Sequence, residues 1–284
     1  MLPKSSLFCL FTTLILFGCN RPSAELKQEA KGENTVQTLP IQVPSGLVKS
    51  RTEKGRISSK ILGYDLQYWV HLPKGYQEGK HYPTLYVTDG FWYKEQGGLL
   101  KIADRLLKKE KIESIIIVLV DAIGPDNRND NRRELEFLCN PKYVEFYKEE
   151  LIPKVDQDFS TDTSQQERGM LGLSFGGLNS MYFGLYASDL FGKIGIQSPA
   201  PHPCPDIYQA YVDSPTLPIN IYLSTGTVND TAPAARKLKG ILENKGYEIA
   251  YQEVAEGHNW SNWKPLLDDV LLHFYSTKST PNND

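Results

Sequence analysis

A serine lies between two glycines in the stretch Gly172-Leu173-Ser174-Phe175-Gly176. This G-x-S-x-G spacing is typical of a nucleophilic serine on a sharp turn between a strand and a helix. The turn is strained and crowds the positions two before and two after the serine, so glycine is favoured at both. We therefore interpret Ser174 as a nucleophile. The alternative is a glycine-rich turn in which the serine is incidental.

A serine nucleophile needs a histidine base and an acid, which in one widespread arrangement follow it in the order serine, acid, histidine. His258 lies between the last predicted strand and the last predicted helix, whereas His273 falls within that helix and reads as structural. Asp230 follows the penultimate predicted strand and is the only carboxylate between Asp213 and Glu243. We predict His258 as the base and Asp230 as the acid, with Asp213 as the fallback. The alternative role for Asp230 is a helix N-cap.

Two backbone N–H groups are needed to stabilise the oxyanion that forms in such a reaction. One is the N–H of Phe175, the residue after the serine, at the positive end of the helix that follows. The second is expected in the loop after the third strand, where residues 88–92 read TDGFW. Phe91 is the candidate donor there. The alternative is an Asp-Gly turn followed by two core aromatic residues.

The hydrophobic pattern predicts the elements that position these residues. Strands are predicted over residues 56–62, 64–72, 84–88, 114–120, 170–173, 194–197, 219–223 and 249–254. Helices are predicted over residues 99–107, 178–190, 234–242 and 266–274, and from residue 141 onward. This alternation predicts a single three-layer α/β domain with a mostly parallel central sheet and antiparallel N-terminal edge strands.

The first residues of the chain are typical of an export signal. Lys4 is followed by an apolar run at residues 7–17 that is too short to span a membrane. The run ends in Leu16-Phe17-Gly18-Cys19, which resembles a bacterial lipoprotein signal. We predict a signal peptide over residues 1–18 and a lipid on Cys19 as the only membrane anchor. The alternative is an ordinary secretory peptide, which would leave the protein periplasmic or secreted.

The predicted catalytic domain covers residues 47–277. Residues 19–46 are polar and lack hydrophobic periodicity, which predicts a flexible tether, and residues 278–284 are predicted to be a disordered tail. By resemblance to Gram-negative lipoproteins, asparagine rather than aspartate at position 20 favours the outer membrane. The net charge of −3 differs from the strongly basic charge that is typical of nucleic-acid-binding proteins, so no nucleic-acid partner is predicted.

Two cysteines, Cys139 and Cys204, lie outside the predicted signal and lipidation site. An exported protein can pair them in a disulfide, but the sequence does not place them in space, so pairing and two free thiols both stay open. Cys204 also lies close to His202 in the sequence. These two potential metal ligands are too few for a metal site, because the sequence has no second cluster of ligands to complete it. The predicted chemistry needs no metal and no organic cofactor.

Five segments resemble, in order, the esterase D or enterochelin-esterase-like family of α/β-hydrolases. They are YPTLYVTDGFWY (82–93), FYKEELIPKVDQDF (146–159), MLGLSFGGL (170–178), STGTVNDTAPAARKLKGIL (224–242) and EGHNWSNWKPLL (256–267). The resemblance implies an α/β-hydrolase fold and a triad on Ser174, Asp230 and His258. Some family members place the acid one residue nearer the glycine, where this chain has Asn229.

The same resemblance implies hydrolysis of carboxylic esters. The family's substrates include siderophore esters, feruloyl or acetyl groups on polysaccharide, S-formylglutathione and short-chain esters, and the export signal argues against cytosolic S-formylglutathione. Two further hypotheses stay open: an acyltransferase of the same fold, and a surface lipoprotein that binds a ligand without turnover. The sequence does not indicate the oligomeric state.

Substrate contacts are expected from loops around the site. Residues 121–140 form a polar loop in which Arg133 is a candidate contact for an anionic or catecholate group, and residues 199–218 form a second wall. Trp92, Tyr93 and Trp260 are candidates for stacking on an aromatic acyl group. The alternative for the loop is a solvated charged surface, and for the aromatic residues it is the core.

Overall fold

A single sheet organises residues 49–277, the part of the chain that the computed structural model describes. Its strands are β1 (Arg51–Ser58), β2 (Asp65–Leu72), β3 (Thr84–Val87), β4 (Ile116–Val120), β5 (Arg168–Leu173), β6 (Lys193–Gln197), β7 (Asn220–Gly226) and β8 (Ile249–Val254). They lie in the order β1-β2-β4-β3-β5-β6-β7-β8. The pairs β1–β2 and β2–β4 are antiparallel and the others parallel. The predicted α/β fold with an antiparallel N-terminal edge is confirmed.

Helices fill the connections between the strands. They are α1 (Gly90–Trp92), α2 (Leu99–Lys108), α3 (Arg133–Phe137), α4 (Pro141–Phe146), α5 (Ile152–Asp158), α6 (Phe175–Tyr186), α7 (Ile207–Asp213), α8 (Ala232–Asn244), α9 (Trp260–Trp263) and α10 (Leu267–Tyr275). Two π-helical turns extend this set, Tyr93–Gly97 after α1 and Tyr147–Leu151 between α4 and α5.

The sheet is buried on both faces, which explains its continuous apolar strands. In β3, Leu85 and Val87 pack into one core cluster and Tyr86 packs into the other. The first cluster includes residues of α2 and α10, and the second includes residues of α4 to α8. The structure therefore has three layers, with helices on both sides of the sheet.

The sequence misplaced the first strand. It begins at Arg51 and ends at Ser58, instead of covering residues 56–62, because residues 59–64 form a turn. In that turn the Ser59 N–H donates to the Tyr64 carbonyl at 3.0 Å, and Gly63 has φ 81°. β1 is an edge strand with mostly exposed side chains, so it carries no hydrophobic alternation that would have marked its bounds.

A disulfide joins Cys139 to Cys204, with their Cα atoms 6.4 Å apart. It connects the segment after α3 to the segment before α7, and it answers the question that the sequence left open. Because the Cys204 sulfur is bonded to Cys139, it is not available as a thiolate ligand for a metal.

Both ends of the described chain lie on the side of the sheet where the parallel strands begin. Arg51 pairs with Leu72, near the start of β4, and Ser50 Oγ donates to Asp104 Oδ2 at 2.6 Å. At the other end Ser276 forms a bridge with a residue that precedes β4. The carboxyl ends of the parallel strands lie on the opposite side.

Several predicted segments lie outside the described residues. These are the signal peptide (1–18), the lipidation site Cys19, the tether (19–46) and the tail (278–284). Within residues 49–277, no helix has both the length and the apolar composition needed to cross a membrane.

Candidate active site

Ser174 lies on the sharp turn between β5 and α6. Its backbone has φ 57° and ψ −119°, a strained conformation for a residue other than glycine. A Cβ on Gly172 would lie 2.1 Å from the carbonyl oxygen of Gly176, and one on Gly176 would lie 2.6 Å from Thr88 Oγ1. Neither position has room for a side chain, as the turn predicted around Ser174 requires.

His258 lies between Ser174 and Asp230. Its Nε2 is 2.8 Å from Ser174 Oγ, and its Nδ1 is 2.5 Å from Asp230 Oδ1. Because an ionised carboxylate only accepts hydrogen bonds, Nδ1 carries the proton and Nε2 is free to accept from the serine hydroxyl. The loops after β7 and β8 bring the acid and the histidine to the carboxyl edge of the sheet, where Ser174 also lies.

The Asp230 carboxyl is held in its ionised form. Burial by itself would raise its pKa, but hydrogen bonds from His258, from Ser198 and from the Gly226 N–H outweigh burial and keep the pKa well below its usual range. The side chain is fully buried. An ionised acid next to Nδ1 is the state that stabilises a protonated histidine.

The other candidate acids and histidine lie elsewhere. Asp213 is exposed at the end of α7 and accepts from Gln209 at 2.8 Å. Asn229 is exposed, and Thr231 rather than Asp230 is the N-cap of α8. His273 lies in α10, where its Nε2 is 2.7 Å from Asn220 Oδ1, as the structural interpretation expected.

Of the two predicted oxyanion donors, Phe175 is the first residue of α6, where the N–H has no intrahelical acceptor. Phe91 lies in α1 with the guanidinium carbon of Arg128 4.3 Å from its ring centre. Burial raises the pKa of the nearby Asp121 carboxyl to about 6, and the N–H groups of Ile123 and Phe91 oppose this rise. The Phe91 N–H thus faces a carboxyl group, and its part in an oxyanion site stays a prediction.

A pocket of about 450 Å³ opens beside Ser174 and His258. The rest of its lining is Asp89, Trp92, Gln96, Asn131, Arg133, Leu173, Trp260 and Trp263. Three of the four predicted substrate contacts, Trp92, Arg133 and Trp260, are among these residues. A larger pocket of about 670 Å³ lies at the opposite edge of the sheet, around the first residues of β7 and β8.

The prediction that Tyr93 contacts substrate is wrong. Its side chain is fully buried and its hydroxyl donates to Gln197 Oε1 at 3.0 Å. The ring packs edge-on against Trp260 at 5.4 Å between centroids, on the core side. Tyr93 is therefore a core residue, which was the alternative interpretation of the aromatic residues. The π-helical turn that begins at Tyr93 places its ring towards the interior.

A buried ion pair forms part of the pocket wall. Arg133 donates to both carboxylate oxygens of Asp89, at 2.8 and 3.0 Å, and Asp89 is only 1% exposed. Burial raises the pKa of Asp89, and the Arg133 charge opposes that rise. These two hydrogen bonds hold the Arg133 guanidinium in place in the pocket. Sequence reasoning missed Asp89, for which the only signal was its place before Gly90.

Three further residues around the acid were missed: Ser198, Asn262 and Trp263. Ser198 Oγ and Asn262 Nδ2 donate to Asp230 Oδ2 at 2.6 and 2.8 Å, and Trp263 Nε1 donates to Ser198 Oγ at 2.8 Å. No motif marks them, since each depends on the packing of the β6–α7 segment against α9. Among residues 49–277, no group of three or more His, Cys, Asp or Glu side chains is placed to hold a metal ion.

Comparison with known proteins identifies the family. A family model described as "Putative esterase" matches residues 59–274, and the chain belongs to this family. The uncharacterized protein YjcH of Bacillus subtilis is 26% identical over 229 residues, which is 77% of this chain and 95% of that protein. An endo-1,4-beta-xylanase/feruloyl esterase of Xylanibacter ruminicola is 34% identical over 144 residues, 45% of this chain and 19% of that protein's length.

The solved structures show the same fold. The enterobactin esterase of Shigella flexneri, crystallised in the presence of enterobactin, matches with a TM-score of 0.71 at 21% identity, over 79% of this chain and 58% of that one. This likeness shows the α/β-hydrolase fold. Together with family membership it identifies the chain as a carboxylic-ester hydrolase.

Proposed function

We propose that the protein is a serine esterase whose catalytic residues are Ser174, His258 and Asp230. The observation that carries the proposal is the placement of His258, with one ring nitrogen 2.8 Å from the serine hydroxyl and the other 2.5 Å from the acid. This is the relation of nucleophile, base and orienting acid that acyl transfer needs.

The geometry supports a two-step reaction. His258 Nε2 takes the hydroxyl proton as Ser174 Oγ attacks the ester carbonyl carbon, and the ionised Asp230 stabilises the imidazolium. The N–H of Phe175, and in our proposal that of Phe91, stabilise the oxyanion. The imidazolium then protonates the leaving alcohol, and an acyl-enzyme remains on Ser174. Water, deprotonated by His258, attacks the acyl carbon, the bond to Ser174 Oγ breaks, and the imidazolium returns the proton to Oγ as the acid is released.

We propose esters of an aromatic acid, on a siderophore or a plant polysaccharide, as the substrate class. The pocket beside Ser174 offers the indole rings of Trp92 and Trp260 for stacking and the Arg133 guanidinium for phenolic oxygens. The names of two similar proteins, a feruloyl esterase and an enterobactin esterase, point in the same direction. Acetyl and simple short-chain esters are the less favoured substrates of the same site.

The test of the catalytic residues is Ser174→Ala with p-nitrophenyl acetate and a fluorophosphonate probe. We expect the variant to lose hydrolysis and labelling, because both require the serine oxygen. Wild-type turnover by this variant would refute the proposal. A wild-type protein that does not react with the probe would favour ligand binding without turnover.

A panel of methyl ferulate, a dihydroxybenzoyl-serine ester and an acetylated xylan tests the substrate class. We expect kcat/KM to be highest for the two aromatic esters, and preference for the acetyl ester would refute this part of the proposal. Product analysis with added sugar separates hydrolysis from acyl transfer, since a transferase would form a new sugar ester in place of the free acid.

We further propose that the protein is exported and held at the bacterial envelope by a lipid on Cys19, on the sequence of residues 1–19 alone. Cys19→Ser in the full-length chain is expected to move the esterase from the membrane fraction to the soluble periplasmic fraction. An unchanged distribution would contradict the anchor.

A further inference from the structure

A buried chain of hydrogen bonds leads from Trp263 to the carboxyl group of Asp230. The Trp263 Nε1–H donates to Ser198 Oγ at 2.8 Å, and Ser198 Oγ is 2.6 Å from Asp230 Oδ2. Asn262 Nδ2 reaches the same two oxygens, at 2.8 Å from Asp230 Oδ2 and 3.2 Å from Ser198 Oγ. Trp263, Asn262 and Ser198 are 6%, 1% and 0% exposed, so water does not compete for these bonds.

The direction of this chain is fixed by its donors. An indole N–H and an amide NH₂ only donate, so Ser198 Oγ accepts from Trp263 and Asn262, and its single proton is left for Asp230 Oδ2. The Gly226 N–H also donates to Oδ2, at 2.5 Å. Because its partners are donors, Oδ2 is a poor site for a proton, and the carboxylate stays ionised when His258 takes the serine proton.

Trp263 also contacts the histidine directly. Its ring packs edge-on against the His258 imidazole, with centroids 4.9 Å apart and planes at 88°. One side chain therefore limits the rotation of the base and, through Ser198, that of the acid.

We infer that Ser198 and Trp263 are positioning residues, which hold Asp230 so that Oδ1 faces His258 Nδ1. The inference rests on the proposed function. Ser198 has φ 42°, in the left-handed region that favours glycine, and residues held in this region concentrate at functional sites.

Two substitutions interrupt the chain. Trp263→Phe keeps an aromatic ring beside His258 but removes the N–H donor together with part of the indole ring. Ser198→Gly removes only the hydroxymethyl group, at a position where the backbone suits glycine. Each is expected to lower kcat about tenfold: Ser198→Gly removes a hydrogen bond to the charged carboxylate, and Trp263→Phe removes the donor that keeps the Ser198 proton directed at it. KM should stay almost unchanged in Ser198→Gly, because Ser198 is not among the residues that line the pocket, whereas Trp263 is. The double variant is expected to lose little more than either single variant, because both interrupt the same chain.

The matched control is Tyr93→Phe. It removes the buried hydrogen bond to Gln197, which precedes Ser198, and leaves the chain to Asp230 intact. We expect it to keep wild-type kcat. A second readout is the downfield proton resonance of the His258 Nδ1–H, which should broaden or disappear in the two test variants and persist in the control, with thermal unfolding midpoints recorded for all.

Three outcomes separate the possibilities. Wild-type kcat and resonance in both test variants, while Ser174→Ala is inactive, would overturn the inference and leave the proposed function standing. An equal loss in Tyr93→Phe would show a general packing effect and would also overturn the inference. Turnover by Ser174→Ala would remove the proposed function itself.

Discussion

The two oxygens of the Asp230 carboxyl have different partners. Oδ1 lies against His258 Nδ1, and Oδ2 accepts from Ser198, Asn262, the Thr225 hydroxyl and the Gly226 N–H. Such a division prevents the carboxyl from rotating, because exchanging the two oxygens would break the bonds on both sides. The acid is thus oriented before any substrate binds, which is what electrostatic preorganisation requires.

Asp230→Asn is predicted to lower kcat about a thousandfold or more, because the neutral amide loses the charge that stabilises the imidazolium and favours the wrong histidine tautomer. Steady-state kinetics with p-nitrophenyl acetate measures the effect. Asp213→Asn is the matched control and should be indistinguishable from wild type, since Asp213 is exposed on α7. Near-normal turnover by Asp230→Asn would place the acid elsewhere.

At this scale the sequence was sufficient to predict that Ser174, Asp230 and His258 lie together, because these residues have a motif or a fixed order along the chain. Ser174 has its glycines, and Asp230 and His258 follow successive strands. Ser198 and Trp263 have no such mark, because their contact joins residues 65 positions apart. Tyr93 shows the opposite error, since residue type alone does not tell an aromatic of the core from one of the pocket.

The short helix α3 carries Arg133 into the pocket and Glu136 into the core. Glu136 is 0% exposed, and its Oε1 accepts from Tyr64 at 3.2 Å. Burial raises the pKa of Glu136 to about 8, although Tyr64, Arg132 and Tyr143 act against the rise. A helix of five residues shows no periodicity, and the sequence therefore gave no sign of α3 within the loop predicted at residues 121–140.

Glu136→Gln is predicted to stabilise the protein at alkaline pH. The unfolded chain loses the carboxyl proton near its ordinary pKa of 4.5, and the folded protein keeps it to about 8. The wild type therefore loses stability between these two values, by up to about 4 kcal/mol. Urea unfolding should give similar free energies for both proteins at pH 4.5 and a higher one for Glu136→Gln at pH 8.

A variant that gains nothing at pH 8 would show that Glu136 ionises normally in the folded protein. The glutamine retains an acceptor for Tyr64, so a lost hydrogen bond would not explain such a result.

On the scale of the whole molecule, the Cys139–Cys204 disulfide closes a long loop. The two cysteines are 65 residues apart in the chain. The loop between them includes β5, α6 and β6, so Ser174 lies within it. The sequence supplied the order of elements and hence the sheet, since strand–helix alternation restricts the topology. It did not supply this pairing, because pairing depends on a distance between two loops.

The double variant Cys139→Ser/Cys204→Ser is predicted to lower the free energy of unfolding by about 4 kcal/mol, the chain-entropy value for a loop of this length. Denaturant unfolding of wild type with and without reductant provides the control: reduced wild type should match the variant, which should not respond to reductant. Equal stability of oxidised wild type and variant would refute the prediction.

Both ends of the described chain lie at the edge of the sheet opposite to Ser174. A surface, resin or fusion partner joined upstream of Ser50 or downstream of Ser276 therefore meets the domain on the side away from the pocket. Substrates that are themselves large and immobile, such as a polymer in a particle, can approach the free edge without competing with the attachment. A preparation immobilised directly upstream of Ser50 or downstream of Ser276 is expected to retain access to the serine, which suits the protein to assays on insoluble esters.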